Sequence, residues 1–85
     1  MEIVYLATAQ KDLAFWRKSG NSAIQRKISS IIESIEQTPF SGLGKPEPLK
    51  YELSGKWSRR ISQEHRLIYE VDAGKIFIYS LRGHY

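Results

Sequence analysis

Between Gly44 and Lys50 the chain reads GKPEPLK, and this is where its residue types come closest to chemistry. Pro46 and Pro48 stand on either side of one carboxylate, Glu47, with Lys45 and Lys50 flanking the run. Proline locks φ and pushes the residue before it toward extended geometry, so Glu47 is held from both sides. A constrained carboxylate among cations is either the surface charge of a rigid loop or a positioned acid or base. Four further residues bear on the choice: Arg60 and Arg66 downstream, and the terminal pair His84-Tyr85. Cleavage of RNA without a metal needs a base for a 2′-hydroxyl, cations for the charge on the phosphorane, and an acid for the leaving 5′-oxygen. Glu47 or His84 fits the base, and His84 fits the acid because imidazole titrates near neutrality. The arginines and lysines suit the electrostatic task. Tyr85 offers a ring for stacking and a hydroxyl for hydrogen bonding.

Each of these residues also has a plainer reading. A terminal His-Tyr is often a frayed end, Glu47 by itself fits a solvated loop, and Arg60 and Arg66 fit cross-strand pairs with Glu64 or Glu70. His65 reads as a packed or edge histidine. Two histidines and scattered carboxylates show no metal-ligand spacing, so neither a metal nor another cofactor is expected.

Composition narrows the setting. A chain of 85 residues is expected to form one domain, 1–85, whose apolar core alone gives modest stability. It has no cysteine, which fits a reducing compartment. No apolar run approaches a membrane span, and MEIVYLATAQ lacks the pattern of a signal peptide, so the cytoplasm is the expected location. The net charge of +4 favours a polyanionic partner, and its distribution is uneven. Residues 1–40 hold five Lys/Arg against four Asp/Glu, whereas 41–66 hold six (Lys45, Lys50, Lys56, Arg59, Arg60, Arg66) against three. The excess surrounds GKPEPLK. Direct DNA binding is the weakest reading, because no helix joins a basic stripe to base-reading residues.

The elements that must carry these groups follow from periodicity. EIVYL predicts a strand; Thr8 predicts an N-cap, and Ala9, Leu13 and Trp16 predict a short helix that stops at Ser19-Gly20-Asn21. Ile24, Ile28, Ile31, Ile32 and Ile35 then form the apolar stripe of a second helix, ended by Thr38-Pro39 and folded back on the first. After the breaker-rich PFSGLGKPEP, the runs WSRRIS, HRLIYEV and KIFIYSL predict an antiparallel meander. The fold class is therefore α+β, a helix hairpin covering one face of a mainly antiparallel four-stranded sheet. Period 2 turns Trp57, Ile61, Leu67, Tyr69 and Val71 toward the helices and Ser58, Arg60, Arg66, Ile68 and Glu70 toward a face left open. The last strand is apolar on both parities, so its outer side is either covered or an interface.

Four ordered blocks also carry a family likeness: GKPEPLK, LSGKWSRRI, EHRLIY and the terminal HY. With them the chain closely resembles, over essentially its whole length, the YoeB/Txe toxins of the RelE superfamily in bacterial type II toxin-antitoxin systems. The resemblance implies a RelE-like fold and a ribosome-dependent endoribonuclease, an mRNA interferase that cuts the message in the ribosomal A site and so inhibits translation. It implies Glu47 as general base, Arg66 as transition-state cation, His84 as general acid and Tyr85 as the aromatic that engages the substrate base. Lys45, Lys50 and Arg60 would contact RNA or the ribosome. Implied partners are mRNA, the ribosome, a YefM-like antitoxin and, through that antitoxin only, operator DNA; a homodimer is compatible with it. The alternative is a basic module that binds antitoxin or rRNA without turnover.

Overall fold

In the computed structural model, which describes residues 1–83, the chain forms β1 (Glu2–Tyr5), α1 (Ala7–Ser19), α2 (Ser22–Gln37), β2 (Glu47–Pro48), a 3₁₀ turn (Tyr51–Leu53), β3 (Trp57–Arg60), β4 (Arg66–Asp72) and β5 (Lys75–Ser80). His84 and Tyr85 lie outside the described residues. The strands make one sheet in the order β1-β5-β4-β3-β2, antiparallel except for the parallel pair β1 and β5. The α+β class and the helix hairpin on a mainly antiparallel sheet stand. The sheet has five strands where four were expected, because Glu47 and Pro48 pair with Ser58 and Trp57. A proline in a two-residue run reads as a breaker, but at a sheet edge its missing N–H costs no ladder bond.

The isoleucine stripe packs as its period demands. Ile28, Ile31, Ile32 and Ile35 of α2 join Ala9 and Trp16 of α1 over Ile61, Leu67, Tyr69, Ile76, Ile78 and Leu81. Between the helices Gly20 takes the left-handed cap conformation (φ 71°), and Asn21 Oδ1 accepts from Ile24 N at 3.1 Å. The start of α1 differs from expectation: Leu6, not Thr8, occupies the N-cap position, without a side-chain cap. Leu6 N donates to Ile78 O at 3.0 Å as the last rung beside β1, and Leu6 O accepts from Gln10 N at 2.9 Å as the first helical bond. Strand thus passes directly into helix. Between β4 and β5, Ala73 and Gly74 both have positive φ, as a two-residue hairpin loop requires. The outer side of β5 is partly covered, since Tyr79 donates to Glu70 Oε1 at 2.7 Å and lies under Lys56 Nζ, 4.6 Å from its ring centre.

The largest departure concerns Arg59. The charge count placed it in the surface excess, yet it is fully buried (0% exposed), on the helix side between Trp57 and Ile61. Its Nε donates to the Tyr69 hydroxyl (3.2 Å), Nη1 to Ser34 Oγ and Leu43 O (2.9 Å each) and Nη2 to Thr38 O (2.7 Å). Tyr69 in turn donates to Pro39 O at 2.6 Å. Helix α2, the loop after it and the sheet's middle strand meet on one guanidinium.

Two outcomes follow. Arg59→Leu should lower unfolding free energy in urea by about 3–5 kcal/mol, since Leu43 O and Thr38 O lose their guanidinium donors, and Arg59→Lys should not restore it because an ammonium cannot fork to these acceptors. The Tyr69 hydroxyl is raised above its ordinary value of 10.0, chiefly by burial, against an opposing hydrogen bond and charge from Arg59. Its contribution is therefore complete below pH 10 and lost as pH climbs through the raised value. Alkaline unfolding curves of Tyr69→Phe should lack that share of the fall.

Candidate active site

The path from α2 to Glu47 is fixed residue by residue. Thr38 closes the helix by donating its backbone N–H to Ser34 O at 2.8 Å, and its hydroxyl donates to Ser41 O at 2.8 Å. Ser34 Oγ accepts from Leu43 N at 3.2 Å. Gly44 O then accepts from Arg60 N at 2.6 Å, which lays the loop against β3 one residue before Lys45, itself held at a left-handed φ of 52°. A Cβ on Gly44 would lie 3.1 Å from Arg60 O and 3.2 Å from Arg59 Cβ at a φ of 87°, so glycine is required there for both space and conformation. Pro46 and the edge strand follow, and Glu47 arrives opposite Ser58.

Register then decides which groups share a face, because directly paired residues point the same way. Glu47 pairs with Ser58, and Ser58 with Ile68; Arg60 pairs with Arg66. Glu47, Arg60 and Arg66 therefore lie on the side away from the helices. Glu47 and Arg66 are separated by roughly 10 Å across two strand spacings and about 7 Å along them, a gap that two long side chains span around a phosphodiester. Arg66 Nη1 donates to Ser58 Oγ at 3.4 Å.

This face is not open throughout, as period 2 alone implied: Ser58 and Ile68 are buried, and only its rim is exposed. Lys50 and Tyr51 border a groove of about 780 Å³ running along Glu47–Leu53. Tyr51 is 86% exposed and has a left-handed φ of 58°. Around Arg60 a second cleft of about 270 Å³ is lined by Lys27, Gly44, Lys45 and Gln63 among others. Lys27 stands on the polar side of α2 in the sequence pattern, and only the loop's return beside the helix brings it here.

At the other end Gly83 O accepts from Arg66 N at 2.8 Å, so the described chain finishes against β4. His65 is packed as expected, its ring edge-on to Trp16 and its Nδ1 accepting from Gly83 N at 2.9 Å. The structure thus brings together Glu47, Arg60 and Arg66, with Lys45 and Lys50 at the rim; His84 and Tyr85 are beyond the described residues. Among those residues no group of three or more His, Cys, Asp or Glu is arranged to hold a metal, and no helix is long and apolar enough to cross a membrane.

The arrangement is a helix hairpin on a five-stranded sheet, with Glu47 on the edge strand sharing a face with Arg60 and Arg66. Residues 5–85 match the family model described as YoeB-like toxin of bacterial type II toxin-antitoxin system, and the chain belongs to that family. It is similar to toxin YoeB of Escherichia coli O6:H1, 44% identical over 85 residues that cover all of both chains. It is also similar to two solved structures from Staphylococcus aureus, each covering 100% of this chain and 98% of the other. One is a YoeB dimer (37% identity, TM-score 0.91) and one a YoeB–YefM complex (38%, TM-score 0.90). YafQ from E. coli, 16% identical with a TM-score of 0.80, shares the fold.

Gly44→Ala should cost about 1–3 kcal/mol in urea unfolding, because the added methyl meets backbone at a φ that alanine resists. Gly20→Ala, at a φ of 71° but with no atom within 4 Å of the added Cβ, should cost only the conformational share, about 1–2 kcal/mol.

Proposed function

We propose that this chain is the toxin of a type II toxin-antitoxin pair and acts in the cytoplasm as a ribosome-dependent mRNA interferase. The observation that carries the reading is the register that sets Glu47 on the same face as the Arg60–Arg66 pair. Glu47 takes the proton of a 2′-hydroxyl, whose oxygen attacks the adjacent phosphorus. Arg66, with Arg60 beside it, balances the charge that grows on the non-bridging oxygens. His84 gives a proton to the departing 5′-oxygen, leaving a cyclic phosphate and a 5′-hydroxyl. Tyr85 engages the base next to the cut, and Lys45 and Lys50 hold flanking phosphates or rRNA. No step needs a metal or other cofactor.

The partners follow from the same reading. A YefM-like antitoxin neutralises the toxin, the pair represses its own operon through DNA contacts made by the antitoxin, and two copies of the toxin associate. The S. aureus dimer and antitoxin complex support these assignments by similarity.

Cleavage of message on programmed ribosomes tests the activity. Glu47→Ala, Arg66→Ala and a chain ending at Gly83 should each lose about 10² or more in rate, as expected for acid-base and electrostatic groups. Full activity of the shortened chain would overturn the site, and an inert wild type would leave the non-catalytic binding module in its place.

A further inference from the structure

The segment after β5 is held in a way that a chain end does not need. Beyond the last strand residue a terminus normally frays unless it is tied down. Here Leu81 is fully buried and both its backbone groups are taken by α1: its N–H donates to Asp12 Oδ2 and its carbonyl accepts from Trp16 Nε1, each at 2.9 Å. Gly83 is gripped twice, its N–H by His65 Nδ1 at 2.9 Å and its carbonyl by Arg66 N at 2.8 Å. Between them the Arg82 guanidinium lies 3.9 Å from the centre of the Phe15 ring. The His65 and Trp16 rings meet edge to face, 4.8 Å apart, so the two grips brace one another. Asp12 is only 8% exposed, and burying a carboxylate to hold a single backbone amide is costly.

We propose that Asp12, Trp16 and His65 form a clamp on Leu81–Gly83 that positions the end of the chain for the reaction, with helix α1 as its fixed jaw. They are positioning residues, touching neither message nor reacting atoms. The inference rests on the function proposed above. It assigns the hydrogen-bonding groups of these three side chains a role in the cleavage step, beyond their role in the core. A misplacement of about 1 Å at a reacting group costs on the order of 10²-fold, which sets the scale of the effect.

The test uses the full chain on ribosomes already loaded with toxin, so that single-turnover cleavage is read apart from ribosome affinity. Asp12→Leu and His65→Leu should slow cleavage by about 10- to 100-fold with little change in ribosome Kd. Asp12→Asn keeps an acceptor oxygen, and His65→Asn places an amide oxygen near the position of Nδ1, so both should recover most of the rate. Trp16→Phe keeps an aromatic ring, though a smaller one, and deletes the indole N–H, and it should show a similar loss even where the leucine variants fail to fold. Amide exchange at Leu81 and Gly83 should quicken in the slow variants. Wild-type rates in folded variants whose Leu81 and Gly83 amides exchange faster would overturn the clamp while leaving the proposed function intact. A wild type that does not cleave would remove the function on which the clamp rests.

Discussion

Everything on the Glu47 side of the sheet depends on how one buried cation is satisfied. The Arg59 guanidinium meets no carboxylate among the groups bonded to it: two loop carbonyls, a serine and a tyrosine hydroxyl take its protons. In a low-dielectric interior each such bond is electrostatically stronger than in water, and each missing one is correspondingly costly. The arrangement is mutual, because a loop buried against a sheet has carbonyls with no strand to pair with, and these require donors. An apolar residue at position 59 would fill the volume, strip Leu43 O of its guanidinium donor and leave Thr38 O with the longer 3.3 Å bond from Ser41 N. The planar fork supplies several donors from one rigid group, which is why the irregular backbone between α2 and β2 needs so little regular structure of its own.

Rigidity is graded across the sheet, and the candidate catalytic groups sit at different points on that gradient. Arg66 belongs to the central strand, paired on both sides and packed below by Leu67 and Tyr69. Glu47 lies on a two-residue edge strand, where opening costs least. The prolines on either side compensate by removing backbone freedom from the unfolded chain, and the bond from Arg60 N to Gly44 O anchors the approach. Arg66 is thus fixed by the sheet, and Glu47 by the braced loop that leads into its edge strand.

Much of this was legible in the residues, for identifiable reasons. The isoleucine stripe and the period-2 strands have to bury one face, so the helix hairpin, the three-strand run and the shared face of Arg60 and Arg66 followed from spacing. Arg59 falls between the inward-facing Trp57 and Ile61, but charge is counted without regard to parity, and it was grouped with the cations around GKPEPLK. Asp12 was silent because an aspartate in a helix looks solvated, and its partner Leu81 is 69 residues away. Lys27 and the β1–β5 pairing were illegible for the same reason: both depend on contacts between remote segments. Thr8 misled as a cap because local propensity yielded to the ladder bond from Leu6 to Ile78.

The two helices divide the labour of holding the site. Helix α2 and the Arg59 network fix the approach to Glu47, while α1 grips the chain where it leaves β5, and the sheet between them carries Arg66. Strain gathers on this side: Lys45 and Tyr51 have left-handed backbones. In so short a chain the margin of stability is small, and each such feature subtracts from it. Such strain persists where the surrounding structure over-determines it. The core of isoleucines and the buried Arg59 network are what let so short a chain tolerate these strained positions.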